Sequence, residues 1–125
     1  MPRVTFTAPT IASVGLTETQ ARDAGHHVTT SLLPIEAVPR ALVDHATTGL
    51  IKLVADENDG RLLGAHILAD GASDVIQAAI MALKYRATVD DIADAFHPYL
   101  TMAEGLKLAA QAFRKDVKHL SCCAA

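Results

Sequence analysis

The sequence predicts an α+β domain, with a mainly antiparallel β-sheet and helices packed against it. Two apolar runs, at residues 50–55 and 62–68, are joined by a segment containing Asn58, Asp59 and Gly60. That segment is typical of a turn, so the two runs are expected to form a β-hairpin. Strand, helix, further strand and then helix patterns follow one another along the chain, an order that favours an α+β layout over a parallel sheet. Both hairpin runs are apolar at nearly every position, so we expect both of their faces to be covered.

Three further strands are predicted before the hairpin, at residues 3–7, 12–16 and 28–35. In the first, Val4 and Phe6 alternate with polar neighbours, which is typical of a half-buried strand. Pro34 indicates that the third strand is an edge strand or ends in a bend, because proline cannot donate to a sheet ladder. Residues 36–48 are expected to be irregular.

Four helices are predicted, beginning near residues 17, 73, 88 and 101. Thr17 and Gln20 have the spacing of a capping box, and Gly25 is a suitable residue to end that helix. Thr101 and Glu104 repeat the capping-box pattern before the last helix. Each of the two longer helices, from 73 and from 101, carries one apolar stripe at spacings of three and four residues, so both are expected to pack on the sheet.

Length and charge exclude several classes of function. The chain has 125 residues, one domain's worth, and a net charge of −3 with no basic stripe, so nucleic acid is not an expected partner. The apolar stretch at 62–69 is too short to cross a bilayer, and the N-terminus has no apolar signal-peptide core. Gly60, Gly64 and Gly71 are too scattered for a phosphate-binding loop, so no dinucleotide site is expected.

Adjacent cysteines, Cys122 and Cys123, are the most distinctive chemical feature of the chain. Neighbouring Cα atoms lie about 3.8 Å apart, whereas a relaxed disulfide needs roughly 4.4–6.8 Å, so two free thiols are the expected state. Paired sulfur donors suit a soft metal ion, and free thiols suit a reducing cytoplasm. The alternative is a pair of bystander thiols on a frayed terminus.

Several motifs together resemble the dimerisation domain of the flavin-dependent disulfide reductases. They are TAPTIASVGLTE at residues 7–18, LGAHI at 63–67, DVIQ at 74–77 and the dipeptide His97-Pro98. Within that superfamily, PYLTMAEGLKL at 98–108 and LSCCA at 120–124 resemble the mercuric reductases. The paired cysteines are the most discriminating of these motifs.

This resemblance implies an interface domain at residues 1–120, followed by a flexible tail at 121–125. It implies a homodimer in which the tail reaches the active site of the partner subunit, where Cys122 and Cys123 receive Hg(II) and pass it on. FAD and NADPH would serve the full-length enzyme and would not be bound by these residues. The chain alone is therefore expected to be inactive in reducing Hg(II) to Hg(0), and a cytoplasmic location is expected.

Two residues beside the His-Pro motif are further candidates. By the resemblance, Tyr99 lies on the path of the metal, while the alternative is a buried tyrosine with a satisfied hydroxyl. His97 occupies the position of a general acid/base in glutathione-reductase-like relatives. Their glutamate follows five residues later, where this chain has Met102. Structural and interface roles for His97 therefore stay open.

Other readings remain. His66, within an apolar run, is expected to be a hydrogen-bonded core or interface residue. The chain as a whole fits an interface module of another flavin disulfide reductase, such as a dihydrolipoamide dehydrogenase-like enzyme, with an inert tail. A third possibility is a stand-alone thiol metal carrier.

Overall fold

The computed structural model describes residues 1–120. Five strands form one sheet: β1 (Arg3–Thr5), β2 (Thr10–Gly15), β3 (Val28–Pro34), β4 (Leu50–Asp56) and β5 (Leu62–Ala69). Their spatial order is β1-β2-β5-β4-β3, and every neighbouring pair is antiparallel. The predicted α+β class is confirmed, as are the central hairpin and the edge position of β3.

The helices are α1 (Glu18–Asp23), α2 (Pro39–Val43), α3 (Ala72–Lys84), α4 (Val89–Asp94) and α5 (Glu104–Gln111). Two 3₁₀ turns, Ile35–Ala37 and Val117–His119, complete the described elements. α3 packs on β2 and β5, and α5 packs on β3 and β4. The main core therefore lies between these two helices and one face of the sheet.

Alternation along the strands decides which face is buried. Ala12, Ile51 and Ile67 lie side by side in register and are all buried in the main core. Ile11, the neighbour of Ala12, points to the other face and is exposed. On that second face, a smaller cluster beneath α1 holds Ala21, Val54 and Leu63, a group that supports the expectation that the hairpin is covered on both sides.

Two predictions for the first half of the chain, the strand at residues 3–7 and the irregular segment at 36–48, are wrong. The first strand is shorter than expected and exposed throughout, because β1 is the outermost strand and pairs with β2 alone. Phe6 lies beyond its end and is 81% exposed. Residues 36–48 are not irregular: they contain α2, which begins at Pro39, a position where the missing N–H has no intrahelical partner to lose. Val38, which precedes the helix, and Ala41 within it are both buried.

One capping box is confirmed and the other is only half formed. Thr17 Oγ1 accepts from the N–H of Gln20 at 3.2 Å, and Gln20 Oε1 accepts from the N–H of Thr17 at 3.0 Å. At the last helix, the N–H of Glu104 donates to Thr101 Oγ1 at 3.3 Å, but no reciprocal bond forms. The Glu104 carboxyl is instead buried, and its Oε2 has no hydrogen-bond partner within residues 1–120.

A buried serine ties α5 to the edge of the sheet. Ser31 on β3 donates its hydroxyl hydrogen to the carbonyl of Ala109 at 2.7 Å. That carbonyl lies in the last turn of α5, where intrahelical donors run out. The bond therefore fixes the C-terminal end of the helix that follows the His-Pro segment.

Within residues 1–120, no helix has both the length and the apolar character needed to cross a bilayer.

Candidate functional site

The His-Pro motif lies on an exposed connection between α4 and α5, here called the 95–101 turn. Thr101 Oγ1 donates to the carbonyl of Pro98 at 2.9 Å, which closes the turn on itself. Leu100 adopts a left-handed conformation with φ of +63°. Such a conformation is costly for a leucine, so the surrounding contacts must hold it.

One of those contacts comes from α2. Arg40 Nη1 donates to the carbonyl of Leu100 at 3.4 Å, while its Nε donates to Asp44 Oδ2 at 2.8 Å. The Asp44 carboxylate thus orients the guanidinium and raises the pKa of Arg40, chiefly through this hydrogen bond. Sequence reasoning missed Arg40, because it placed 36–48 outside regular structure. The i, i+4 spacing of Arg40 and Asp44 was the available signal.

Tyr99 lies within the 95–101 turn, and its side chain is exposed. The residue is 68% exposed, and its hydroxyl has no hydrogen-bond partner in the described part of the chain. The alternative of a buried tyrosine with a satisfied hydroxyl is therefore wrong for this chain. An exposed phenol is free to meet a ligand or another protein surface.

His97 is fixed by its own segment. Its Nδ1 lies 3.2 Å from the carbonyl oxygen of Ala95. A carbonyl can only accept, so Nδ1 carries the hydrogen and, in the neutral ring, Nε2 is left as an acceptor. Within residues 1–120, His97 makes no hydrogen bond or ion pair with Glu104. The histidine therefore has a defined orientation but no carboxylate partner among residues 1–120.

Cys122 and Cys123 lie outside the described residues, in the segment 121–125. The chain before them is anchored: Leu120 is 1% exposed and belongs to the main core. The 3₁₀ turn Val117–His119 precedes it, and Asp116 Oδ1 accepts from the N–H of Lys118 at 3.1 Å. Lys115, Lys118 and His119 are exposed in the last six described residues, together with Asp116.

His66 is structural, as expected. Its Nε2–H donates to the carbonyl of Leu16 at 3.0 Å, because the carbonyl can only accept. Its Nδ1 then accepts from the hydroxyl of Ser13 at 3.1 Å. Both ring nitrogens are occupied, which confirms the hydrogen-bonded histidine that the sequence predicted.

Several acidic groups within residues 1–120 form ion pairs or cap helices. Glu18 lies between Arg22 and Lys52, each 2.8 Å away. Hydrogen bonds from Arg22 and Lys52 lower the pKa of Glu18 to about 2. Within residues 1–120, no group of three or more His, Cys, Asp or Glu side chains is arranged to hold a metal ion. The only candidate metal ligands from the sequence are therefore the two cysteines beyond Leu120, with Tyr99.

The described residues do not fit a dinucleotide. Gly60 is in the hairpin turn, Gly64 is within β5 and Gly71 caps α3, so they do not converge on one phosphate loop. The strand pairs within residues 1–120 are antiparallel, whereas the dinucleotide-binding unit needs a parallel βαβ arrangement.

Comparison with known proteins identifies the fold and its relatives. Residues 1–110 match the family described as "Pyridine nucleotide-disulphide oxidoreductase, dimerisation domain". The chain belongs to this family. It is 59% identical over 124 residues to a mercuric reductase of Staphylococcus aureus, a match that covers 99% of this chain and 23% of that protein. A mercuric reductase of Streptomyces lividans is also 59% identical over 124 residues, with 99% and 26% covered.

Solved structures agree with the family assignment. The Cu(II) complex of the HOCl-induced flavoprotein disulfide reductase RclA from Escherichia coli superposes with a TM-score of 0.86 at 30% identity, covering 92% of this chain and 26% of that one. LpdA from Mycobacterium tuberculosis shares the fold, with a TM-score of 0.84 at 24% identity, covering 92% of this chain and 25% of that one. The predicted resemblance to the dimerisation domain of the mercuric reductases is confirmed. The chain spans about a quarter of the length of the relatives it matches.

Proposed function

We propose that this chain is the dimerisation and Hg(II)-relay domain of a mercury(II) reductase. Residues 1–120 form the interface domain, and residues 121–125 form a tail that carries Cys122 and Cys123. The observation that carries this proposal is the 59% identity to mercuric reductases across 124 of the 125 residues. A protein that shares only the fold, LpdA, is 24% identical to this chain.

The proposed chemistry is ligand exchange at mercury, with Hg(II) as substrate. The two thiolates bind Hg(II), and each Hg–S bond is then replaced by a bond to an incoming thiolate of the partner subunit's active site. No electrons move in this step: a thiolate leaves as another arrives. Lys115, Lys118 and His119 precede the cysteines and favour the thiolate form electrostatically.

Tyr99 is proposed to lie on the transfer path. Its exposure and its free hydroxyl support this role, because the phenol oxygen is available to a passing cation. Arg40, which binds the carbonyl of Leu100, then acts as a positioning residue for the turn. A proton-transfer role for His97 stays a prediction. The acceptor character of its Nε2 supports this role, whereas the lack of a carboxylate partner within residues 1–120 argues against it.

Reduction itself requires residues outside this chain. FAD and NADPH are proposed to be held elsewhere in the longer protein, since the described residues do not fit a dinucleotide. The isolated chain is accordingly expected to bind Hg(II) without reducing it. A cytoplasmic location is proposed because adjacent cysteines are expected to stay reduced there. Neither nucleic acid nor a membrane is a proposed partner, since the net charge is −3 with no basic stripe.

The decisive experiment is a titration of the 125-residue chain with Hg(II) in competition with a monothiol. One ion bound per chain, with an affinity far above that of the monothiol, is the expected result, because chelation by two sulfurs is an intramolecular advantage. Cys122→Ala and Cys123→Ala should each weaken binding at least tenfold while leaving the circular dichroism spectrum unchanged. Unaltered binding after both cysteines are replaced would instead support an interface module with an inert tail.

The role of Tyr99 is tested by rate rather than by affinity. Transfer of Hg(II) from the loaded chain to a dithiol acceptor should slow severalfold in Tyr99→Phe. Tyr85→Phe is the matched control, since Tyr85 is 69% exposed but lies at the end of α3. Equal rates in both variants would remove Tyr99 from the path.

Self-association is tested by sedimentation velocity. The proposed homodimer predicts a concentration-dependent shift toward twice the monomer mass, because large apolar side chains such as Phe6, Met81 and Phe96 are exposed in the single chain. A single monomeric species at high concentration would contradict the proposal.

A further inference from the structure

A small cleft at one end of the sheet gathers two arginines over an apolar wall. The cleft has a volume of about 210 Å³. It is lined by Leu16, His26, Arg61, Leu62, Leu63, Leu83 and Arg86. Cationic groups beside leucines are an arrangement suited to a ligand that is anionic at one end and apolar at the other.

No carboxylate within residues 1–120 forms an ion pair with either arginine of the cleft. Within residues 1–120, neither Arg61 nor Arg86 forms an ion pair, whereas Arg22, Arg40 and Arg114 each do. Two like charges beside one cleft repel each other unless a counter-ion is bound. Guanidinium groups are also the side chains best shaped to hold a carboxylate through two hydrogen bonds.

Two acids that bond to residues lining the cleft, Asp56 and Asp59, already accept hydrogen bonds. Asp56 Oδ2 lies 2.8 Å from His26 Nδ1, and its Oδ1 accepts from the N–H of Asn58 at 2.8 Å. Asp59 Oδ1 accepts from the N–H of Arg61 at 2.9 Å. The hydrogen bonds from His26 and from the N–H of Asn58 lower the pKa of Asp56 below its usual range, so this carboxylate stays ionised and is held against His26 and Asn58.

The walls of the cleft are pre-formed. The N–H of Leu62 donates to the carbonyl of Ala87 at 3.0 Å, and the N–H of Leu16 donates to the carbonyl of Leu63 at 2.9 Å. These bonds join the end of α3 and the end of β2 to β5. The apolar wall therefore needs no rearrangement before a ligand enters.

Arg86 occupies a position that favours glycine. It follows the C-cap residue Tyr85 of α3 and has a φ of +56°, in the left-handed region. Helices commonly end with glycine here, because any side chain adds strain. Arg86 adopts this conformation and lines the cleft, and strained backbone of this kind clusters at ligand-binding sites.

We propose that this cleft binds a small carboxylate carrying a short aliphatic chain. The carboxylate pairs with Arg61 and Arg86, and the aliphatic part lies against Leu16, Leu62 and Leu83. The volume of about 210 Å³ equals that of about seven waters, at roughly 30 Å³ each, and suits an acid of about six carbons. This inference is independent of the mercury chemistry proposed for the tail.

The test uses the isotope-labelled 125-residue chain and three probes: hexanoate, 1-hexanol and inorganic phosphate. Hexanoate should give saturable amide shifts confined to the cleft, at Leu16, Leu63 and Arg86. Both 1-hexanol and phosphate should bind at least tenfold more weakly, since each satisfies only half of the site. Binding of either probe as tight as that of hexanoate, or hexanoate shifts located elsewhere, would overturn the proposal.

The variant Arg86→Gly distinguishes an effect on ligand binding from an effect on folding stability. Glycine relieves the left-handed strain, so the variant should unfold at a higher temperature while its hexanoate affinity falls at least tenfold. Arg61→Gln should lose affinity to a similar extent and provides an independent variant. Arg3→Gln is the matched control, because Arg3 is also without an ion pair in the described chain but lies on β1. Unchanged hexanoate affinity in Arg86→Gly or Arg61→Gln would refute the site.

Discussion

Replacing Ser31 by alanine tests how the helix after the 95–101 turn is held against the sheet. Ser31 is 5% exposed, and its hydroxyl donates to the carbonyl of Ala109 at 2.7 Å. The alternative donor, the N–H of Phe113, is committed to the carbonyl of Ala110. Ser31→Ala therefore removes a bond and leaves a buried carbonyl without a partner.

The expected cost is about 2 kcal/mol. A typical hydrogen bond contributes about 0.5–1.5 kcal/mol, and leaving a buried acceptor unsatisfied costs about 1–3 kcal/mol. With a urea dependence of about 2 kcal/mol per molar, the unfolding midpoint should fall by about 1 M. The effect exceeds that of an ordinary surface substitution, which is within about 0.5 kcal/mol.

Equilibrium unfolding in urea, followed by circular dichroism, measures this loss. Ser73→Ala is the control, because Ser73 lies in the first turn of α3 and makes no side-chain hydrogen bond in the described chain. Its midpoint should stay within experimental scatter of the parent chain. A loss in Ser31→Ala no larger than in this control would show that the bond does not anchor α5.

Three further outcomes follow from the packing, capping and charge of the described residues. Gly105→Ala should cost about 1 kcal/mol by urea unfolding, since overpacking costs about 1–3 kcal/mol and alanine gains about 1 kcal/mol over glycine in a helix. The new Cβ would lie 2.8 Å from Ile51 Cδ1 and 3.2 Å from Val38 Cγ2; a net stabilisation would contradict the close packing. Thr88→Ala should cost about 1 kcal/mol and Thr88→Ser much less, because the hydroxyl caps Asp91; equal losses would exclude the cap. The pKa of Glu18 is lowered to about 2, so its ion pairs should make the parent chain more stable to heat than Glu18→Gln. This difference in thermal stability should be full above pH 4.5 and shrink as the pH falls toward 2. A difference that does not change with pH would refute the ion pairs.

Local sequence patterns were sufficient to predict much of the fold. The hairpin, the α3 stripe and the Thr17 capping box each depend on residues close together in the chain, so their patterns could be recognised without long-range contacts. The edge position of β3 followed from Pro34 alone. The paired cysteines and the PYLTMAEGLKL motif pointed to the family that the comparisons then confirmed.

Where the sequence predictions were wrong, contacts between residues far apart in the chain determined the structure. The exposure of Phe6 follows from the place of β1 at the edge of the sheet, which no local pattern specifies. Glu104 completed a capping pattern in sequence, yet packing buried its carboxyl at 7% exposure.

The sequence by itself determined the chemistry available to this protein, because two adjacent thiols and an aromatic hydroxyl are properties of residue type and spacing. Only the tertiary structure decided which side chains are exposed to solvent and which are fixed by contacts with distant residues. It exposed Tyr99, brought Arg40 to the 95–101 turn across 60 residues of chain, and set Arg61 beside Arg86 at one cleft. Those placements depend on how the helices pack on the sheet, a global free-energy balance that no short stretch of sequence contains.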